Sequence, residues 1–194
     1  MSKKLHFRYS AMEAGKSISL LQIAHNYEKM GQTFQVFTDK ADNRFGEGVV
    51  ASRLGPKRAA IQFDRDFDFL AAVKDVACVL VDEAQFLTAK QVKDLHYITQ
   101  VREIPVICFG LRSDFQGNPF EGAAYLLALA ESVEEIRVNC QCGRKATMNV
   151  RLDSNGNRVE DGPQKEIGDT SYRSVCGRCF YTRKNFLIDH QRAA

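Results

Sequence analysis

The chain has 194 residues, 44% of them apolar and 26% charged, with a formal net charge of +3. That suffices for one medium domain with a real core plus a small appendage, in the range of soluble globular proteins. So small a charge does not call for a nucleic-acid partner, which needs cations clustered on one face. With no signal-peptide run at the N-terminus and no stretch near bilayer length, no membrane is expected and cytoplasm is the expected location.

In chain order, residues 5–9 read as a first strand. Ser10-Ala11-Met12-Glu13-Ala14-Gly15-Lys16-Ser17 follows it and opens a helix over 18–30 that Gly31 stops. Strand, loop and helix are the context a P-loop requires. Backbone N–H groups of such a loop cradle phosphate, and the helix N-terminus adds partial positive charge. Gly15 permits close backbone approach, Lys16 reaches the β- and γ-phosphates, and Ser17 can ligate Mg²⁺. Ser10 stands where the usual pattern has Gly, so the match is to Gly-Lys-Ser plus its context.

A second strand is expected over 33–38. Residues 39–60 form a long charged link with Arg44, Arg53, Lys57 and Arg58, either a solvated loop or a lid over the phosphates with Arg53 or Arg58 near the donor. Residues 67–76 read as a helix. The continuous apolar run over 77–81 reads as a strand covered on both faces and ends in Asp82-Glu83. Asp82 fits a Walker B carboxylate holding Mg²⁺. Glu83 can accept a proton from an attacking hydroxyl or orient a water; carboxylate chemistry alone leaves open whether the acceptor is water or an alcohol. Gln85 is grouped with the nucleotide-binding residues.

Thr88 with Gln91 three residues on is a capping box for the next helix. A buried strand follows over 105–109, a helix over 119–130 and a further strand over 132–138. Strands separated by helices predict an α/β fold, a mostly parallel sheet with helices on both faces and ligands at the carboxyl ends of the strands.

Six cysteines are present. Cys78 and Cys108 sit in apolar runs and read as buried strand residues. Cys140, Cys142, Cys176 and Cys179 form two close pairs with 33 residues between them. The second has zinc-knuckle spacing; the first is one residue tighter. Structural Zn²⁺ is the favoured reading, four protein ligands leaving no open site, with disulfides or reduced thiols as alternatives. The stretch between is rich in turn signals and reads as a small lobe needing a tie. The expected division is 1–139 nucleotide-binding domain, 140–181 zinc lobe and 182–194 tail, in which Phe186, Leu187 and Ile188 could dock.

Four segments, 10–17, 82–86, 110–120 and 174–179, in this order resemble the thymidine kinase family of the zinc-containing, P-loop type, across residues 5–181. The segment 110–120 (Gly-Leu-Arg-Ser-Asp-Phe-Gln-Gly-Asn-Pro-Phe) decides the resemblance, because a generic P-loop ATPase has no need of it. The resemblance implies a RecA-like P-loop domain and transfer of the ATP γ-phosphoryl to the thymidine 5′-hydroxyl, with Glu83 as base. It places Met12, Phe86, Leu111, Phe115 and Phe120 in an apolar slot for the thymine ring. Residues 140–181 resemble a zinc-anchored lasso that closes over the base, with Ile167, Gly168 and Tyr172 in the base-reading region. It also implies a homotetramer and feedback inhibition by dTTP. The competing reading is a nucleic-acid-stimulated P-loop ATPase, disfavoured by the chain's length and lack of a basic patch; a non-enzymatic zinc-bound module would leave the P-loop and Asp82-Glu83 without a task.

Overall fold

The computed structural model describes residues 3–42, 46–52, 55–164, 171–183 and 185–186. The chain divides into two compact units, the first made of Met1–Tyr9, Gly15–Arg112 and Phe120–Ile136, the second of Ser10–Ala14, Ser113–Pro119 and Arg137–Ala194.

The first unit carries, in chain order, β1 (Leu5–Ser10), α1 (Lys16–Lys29), β2 (Phe34–Asp39), β3 (Val49–Ala51), β4 (Lys57–Ala59), β5 (Ile61–Phe63), α2 (Phe69–Ala72), β6 (Cys78–Val81), α3 (Ala89–Val101), β7 (Val106–Leu111), α4 (Glu121–Leu129) and β8 (Ser132–Glu135). Six strands form one sheet in the order β5-β2-β6-β7-β1-β8. The β2–β5, β2–β6, β6–β7 and β1–β8 ladders are parallel. Apolar runs that looked featureless in sequence feed both faces, because successive side chains of a strand alternate. Val79 and Val81 join Leu5, Phe7, Val106 and Cys108 in a core with residues of α2, α3 and α4. Cys78 and Leu80 join Val36 and Phe109 under Leu20, Leu21 and Ala24 of α1. Helices therefore cover both faces, as expected.

Several elements are shorter than the sequence suggests. The helix expected over 67–76 is the single turn Phe69–Ala72. Asp68 caps its start by accepting from the N–H groups of Leu70 and Ala71. At its end Arg102 donates to the carbonyls of Leu70 (2.7 Å) and Val73 (3.1 Å), and the Lys74 N–H donates to Gln35 Oε1. These side chains satisfy the groups a further helical turn would have used. The strand expected over 132–138 is the shorter β8, which stops at Glu135 opposite Tyr9 of β1. The Thr88–Gln91 capping box is present in full.

The link over 39–60 contains an antiparallel hairpin of β3 and β4. Arg58 there donates to Glu28 (2.7 Å) and lies 5.2 Å from the Phe34 ring centroid. Glu28 is twelve residues along α1 from Lys16, about 18 Å of helix rise, so Arg58 is engaged at the opposite end of α1 from the phosphate loop. Arg44 and Arg53 lie outside the described residues.

In the second unit, β9 (Met148–Leu152), β10 (Arg158–Val159) and β11 (Ser171–Val175) form an antiparallel sheet in the order β10-β9-β11, followed by α5 (Gly177–Thr182). This lobe has a core of its own, in which Val150, Leu152, Val175, Phe180 and Phe186 pack with Cys140, Cys176 and Cys179. Phe186 donates its N–H to the Gly156 carbonyl; Leu187 and Ile188 lie outside the described residues.

Candidate active site

The phosphate loop runs from the end of β1 into α1. Gly15 is the N-cap of α1 at φ 83°, and neither a side-chain cap nor an acidic residue occupies the first turn. A Cβ at Gly15 would meet Ile18 at 3.1 Å in a backbone conformation L side chains avoid. This helix start suits an anionic oxygen from outside the chain. Ser10 and Ala11 are buried, and Glu13 is left-handed at φ 60°.

In the first unit, the Ser17 hydroxyl donates to Asp82 Oδ2 (3.1 Å), and the Glu83 N–H donates to Asp82 Oδ1 (3.0 Å). Asp82 is 3% exposed. Burial pushes its carboxyl up to about 7, with the neighbouring Glu83 charge adding to the rise; the Glu83 N–H, Lys16 and the Ser17 hydroxyl oppose it. A carboxylate so placed gains from a cation. Serine hydroxyl and aspartate together are the P-loop donor pair for a hard, oxygen-seeking divalent ion, which fits Mg²⁺.

Glu83 is left-handed (φ 51°, ψ 35°) and starts a 3-10 turn over Ala84–Phe86. Its Oε2 accepts from Gln85 Nε2 at 2.5 Å. The other end of that amide, Oε1, accepts from the Leu111 N–H at 3.0 Å. An N–H needs an acceptor, so the Leu111 bond fixes the amide's orientation and turns its donor towards Glu83. A Cβ at Gly110 would come within 2.8 Å of Gln85 Oε1 and 3.0 Å of its backbone nitrogen. Gln85 therefore clamps Glu83 to the end of β7. Sequence grouped it with the nucleotide ligands; in the structure both ends of its amide engage the protein.

Of the apolar residues expected around a base, Phe86 and Phe120 meet edge-on at 5.6 Å in the first unit. Both pack against the larger core, as does Leu111. In the second unit, Arg151, 1% exposed, lies 3.8 Å from the Phe115 ring centroid. It donates through Nε to the Tyr172 hydroxyl (3.1 Å) and through Nη2 to the Pro163 carbonyl (2.6 Å). Phe115 and Tyr172 are thus linked by one guanidinium. Asp114 Oδ1 accepts the N–H groups of Gln116 and Asn118, folding the loop that carries Phe115. Met12, half-buried, has its N–H on Asn149 Oδ1 (2.8 Å). Ile167 and Gly168 lie outside the described residues.

The thiols of Cys140, Cys142, Cys176 and Cys179 lie within 4.8 Å of one another. Cys142 and Cys176 are 3.6 Å apart, close to the edge of a tetrahedron with Zn–S bonds of about 2.3 Å. All four are free thiols. The donor set fits zinc, and its four ligands make the site structural.

Arg151 and Asn149 had no part in the sequence reading, and Asp114 and Ser174 entered it solely as members of the segments 110–120 and 174–179, with no role assigned. The one available signal was alternation in β9, where Met148, Val150 and Leu152 share one face and Asn149 and Arg151 the other. Among the described residues no helix is long and apolar enough to cross a membrane.

The thymidine kinase family model matches residues 3–180. A thymidine kinase of Chromobacterium violaceum is 57% identical over 180 residues, covering 92% of this chain and 98% of that relative. Those of Albidiferax ferrireducens and Coxiella burnetii are 49% and 45% identical, covering 92% and 91% of this chain and 92% and 94% of theirs.

Proposed function

We propose, from the premise that this chain belongs to the thymidine kinase family, that it transfers the γ-phosphoryl of ATP to the 5′-hydroxyl of thymidine, and also of deoxyuridine, in deoxynucleotide salvage. The observation that carries the reading is the Asp82-Glu83 strand end, where one carboxylate is tied to the P-loop serine and the next is clamped by Gln85.

The roles divide as follows. Residues 10–17 and the start of α1 bind the phosphates, with Lys16 opposite the charge on the transferred group. Ser17 and Asp82 would hold Mg²⁺, which would supply neutralisation of phosphate charge. Glu83 takes the proton of the nucleoside hydroxyl as its oxygen bonds to the γ-phosphorus; the bond to the β–γ bridging oxygen breaks and ADP leaves with that electron pair. Gln85, by donating to one oxygen of Glu83, orients the carboxylate that receives the proton. Met12, Phe86, Leu111, Phe115 and Phe120 are assigned to the thymine ring, with Ile167, Gly168 and Tyr172 reading its edge. Flat, apolar walls with few polar groups suit a nucleobase. Cys140, Cys142, Cys176 and Cys179 hold Zn²⁺ as a tie for the lobe at 140–181, beside a nucleotide-binding domain at 1–139 and a tail at 182–194. A cytoplasmic homotetramer inhibited by dTTP completes the proposal, on family resemblance.

The test is product analysis with γ-labelled ATP. Label is expected on thymidine 5′-monophosphate in amounts matching the ADP formed. Label found solely as inorganic phosphate, unaffected by thymidine, would contradict the proposal.

A further inference from the structure

Asn149 and Ser174 are a directly opposed cross-strand pair of β9 and β11. They are 3% and 5% exposed. Neither residue type favours a sheet interior, and neither side chain is used to join the strands. Both turn to one residue of the phosphate loop. Asn149 Oδ1 accepts the Met12 N–H (2.8 Å), and the Ser174 hydroxyl donates to the Met12 carbonyl (2.5 Å). The Met12 N–H requires an acceptor, which fixes the Asn149 amide and leaves Nδ2 facing the Ser113 carbonyl at 3.4 Å.

We propose that Asn149 and Ser174 are positioning residues, through which the zinc lobe sets the shape of the first half of the phosphate loop. Holding both the N–H and the carbonyl of Met12 fixes the peptide planes on either side of it. The following residue, Glu13, is left-handed at φ 60°. That conformation costs a non-glycine residue about 1 kcal/mol and persists only where surroundings over-determine it. A carbonyl of residue 12 held by Ser174 is such a constraint. The Met12 N–H, being engaged by Asn149, is not among the donors that meet phosphate. Through Ser113, Asn149 also reaches the segment carrying Phe115. One side chain therefore sets the register of two segments, one assigned to phosphate and both to the base.

The inference rests on the kinase reading for its substrates. The test compares Ser174→Ala, Ser174→Thr and Asn149→Leu with wild type, measuring KM for ATP and for thymidine, kcat, zinc content and Tm. Loss of one net hydrogen bond corresponds to about a 5-fold effect. Ser174→Ala is expected to raise both KM values about 5-fold at unchanged zinc content, and Ser174→Thr, which keeps the hydroxyl, to restore them to within about 2-fold. Asn149→Leu should raise both further; should it fail to fold, the alanine and threonine variants decide alone. Wild-type KM values in Ser174→Ala, or equal defects in the alanine and threonine variants, would overturn the inference. A wild-type protein that does not label thymidine would instead overturn the kinase reading, so the two failures are separable.

Discussion

Replacing Gln85 with methionine tests the clamp on Glu83 with little change in volume. The side chain is 2% exposed, so its two polar contacts cannot be made up by bulk water. The Leu111 N–H loses its acceptor, at a cost of about 1–3 kcal/mol for a buried unsatisfied group. At about 2–4 °C per kcal/mol for a chain of this size, Tm should fall by roughly 2–12 °C. Glu83 also loses the donor 2.5 Å from Oε2. A hydrogen bond to a charged group contributes about 1.5–3 kcal/mol, so if it is needed to aim the base, kcat should fall about 10- to 150-fold. The phosphate loop is untouched, and KM for ATP should stay within about 2-fold of wild type. Initial rates of thymidine phosphorylation, with Tm measured alongside, give both numbers. A variant with the lowered Tm but kcat within about 3-fold of wild type would refute the positioning role while leaving the structural one.

Zinc should be present at about one equivalent per chain, as four thiolates on one ion require. Cys179→Ser should lose the metal and raise KM for thymidine; because Ser174 stands two residues before Cys176, KM for ATP should rise with it. Gly110→Ala would force a Cβ to 2.8 Å from Gln85 Oε1 and should cost about 1–3 kcal/mol by overpacking, with a fall in kcat that tracks the Gln85 variant. Asp82 gives a pH signature in Mg²⁺-free buffer. Its folded value, about 7, exceeds the ordinary 3.8, so the folded chain holds the proton more tightly than the unfolded chain, and stability from this group falls as pH rises from about 4 to about 7. Asp82→Asn should therefore melt above wild type at pH 8, with the gap closing towards pH 4, while losing Mg²⁺-dependent activity; equal melting curves at pH 8 would contradict the burial argument.

Much of the first unit was legible because its signals are local. Gly-Lys-Ser between a strand and a helix, an apolar run ending in two carboxylates, and the Thr88–Gln91 box each specify their own surroundings. α2 was overestimated because its ending is set by Arg102, thirty residues away from Ala72, and nothing near residue 72 announces that guanidinium. The hairpin of β3 and β4 lay hidden in a charged stretch in which, among the described residues, Val50 is the single buried apolar anchor. The lobe was read as turn-rich, although β9 alternates plainly; its polar positions, Asn149 and Arg151, look like a solvent face in sequence. They are buried because the segments carrying Met12, Ser113 and Phe115 lie against them, a long-range fact that no five-residue window holds. The Gln85 clamp on Glu83 was not legible, because the backbone N–H that orients its amide belongs to Leu111 on β7.

The most direct measurement is the comparison of Glu83→Gln with wild type in ATP binding and single-turnover transfer to thymidine. Glutamine keeps the shape and can still meet Gln85 through its oxygen, but it accepts no proton. ATP dissociation constants should agree within about 2-fold, and the transfer rate should drop about 100-fold or more. A transfer rate within about 3-fold of wild type would contradict the assignment of Glu83 as the base.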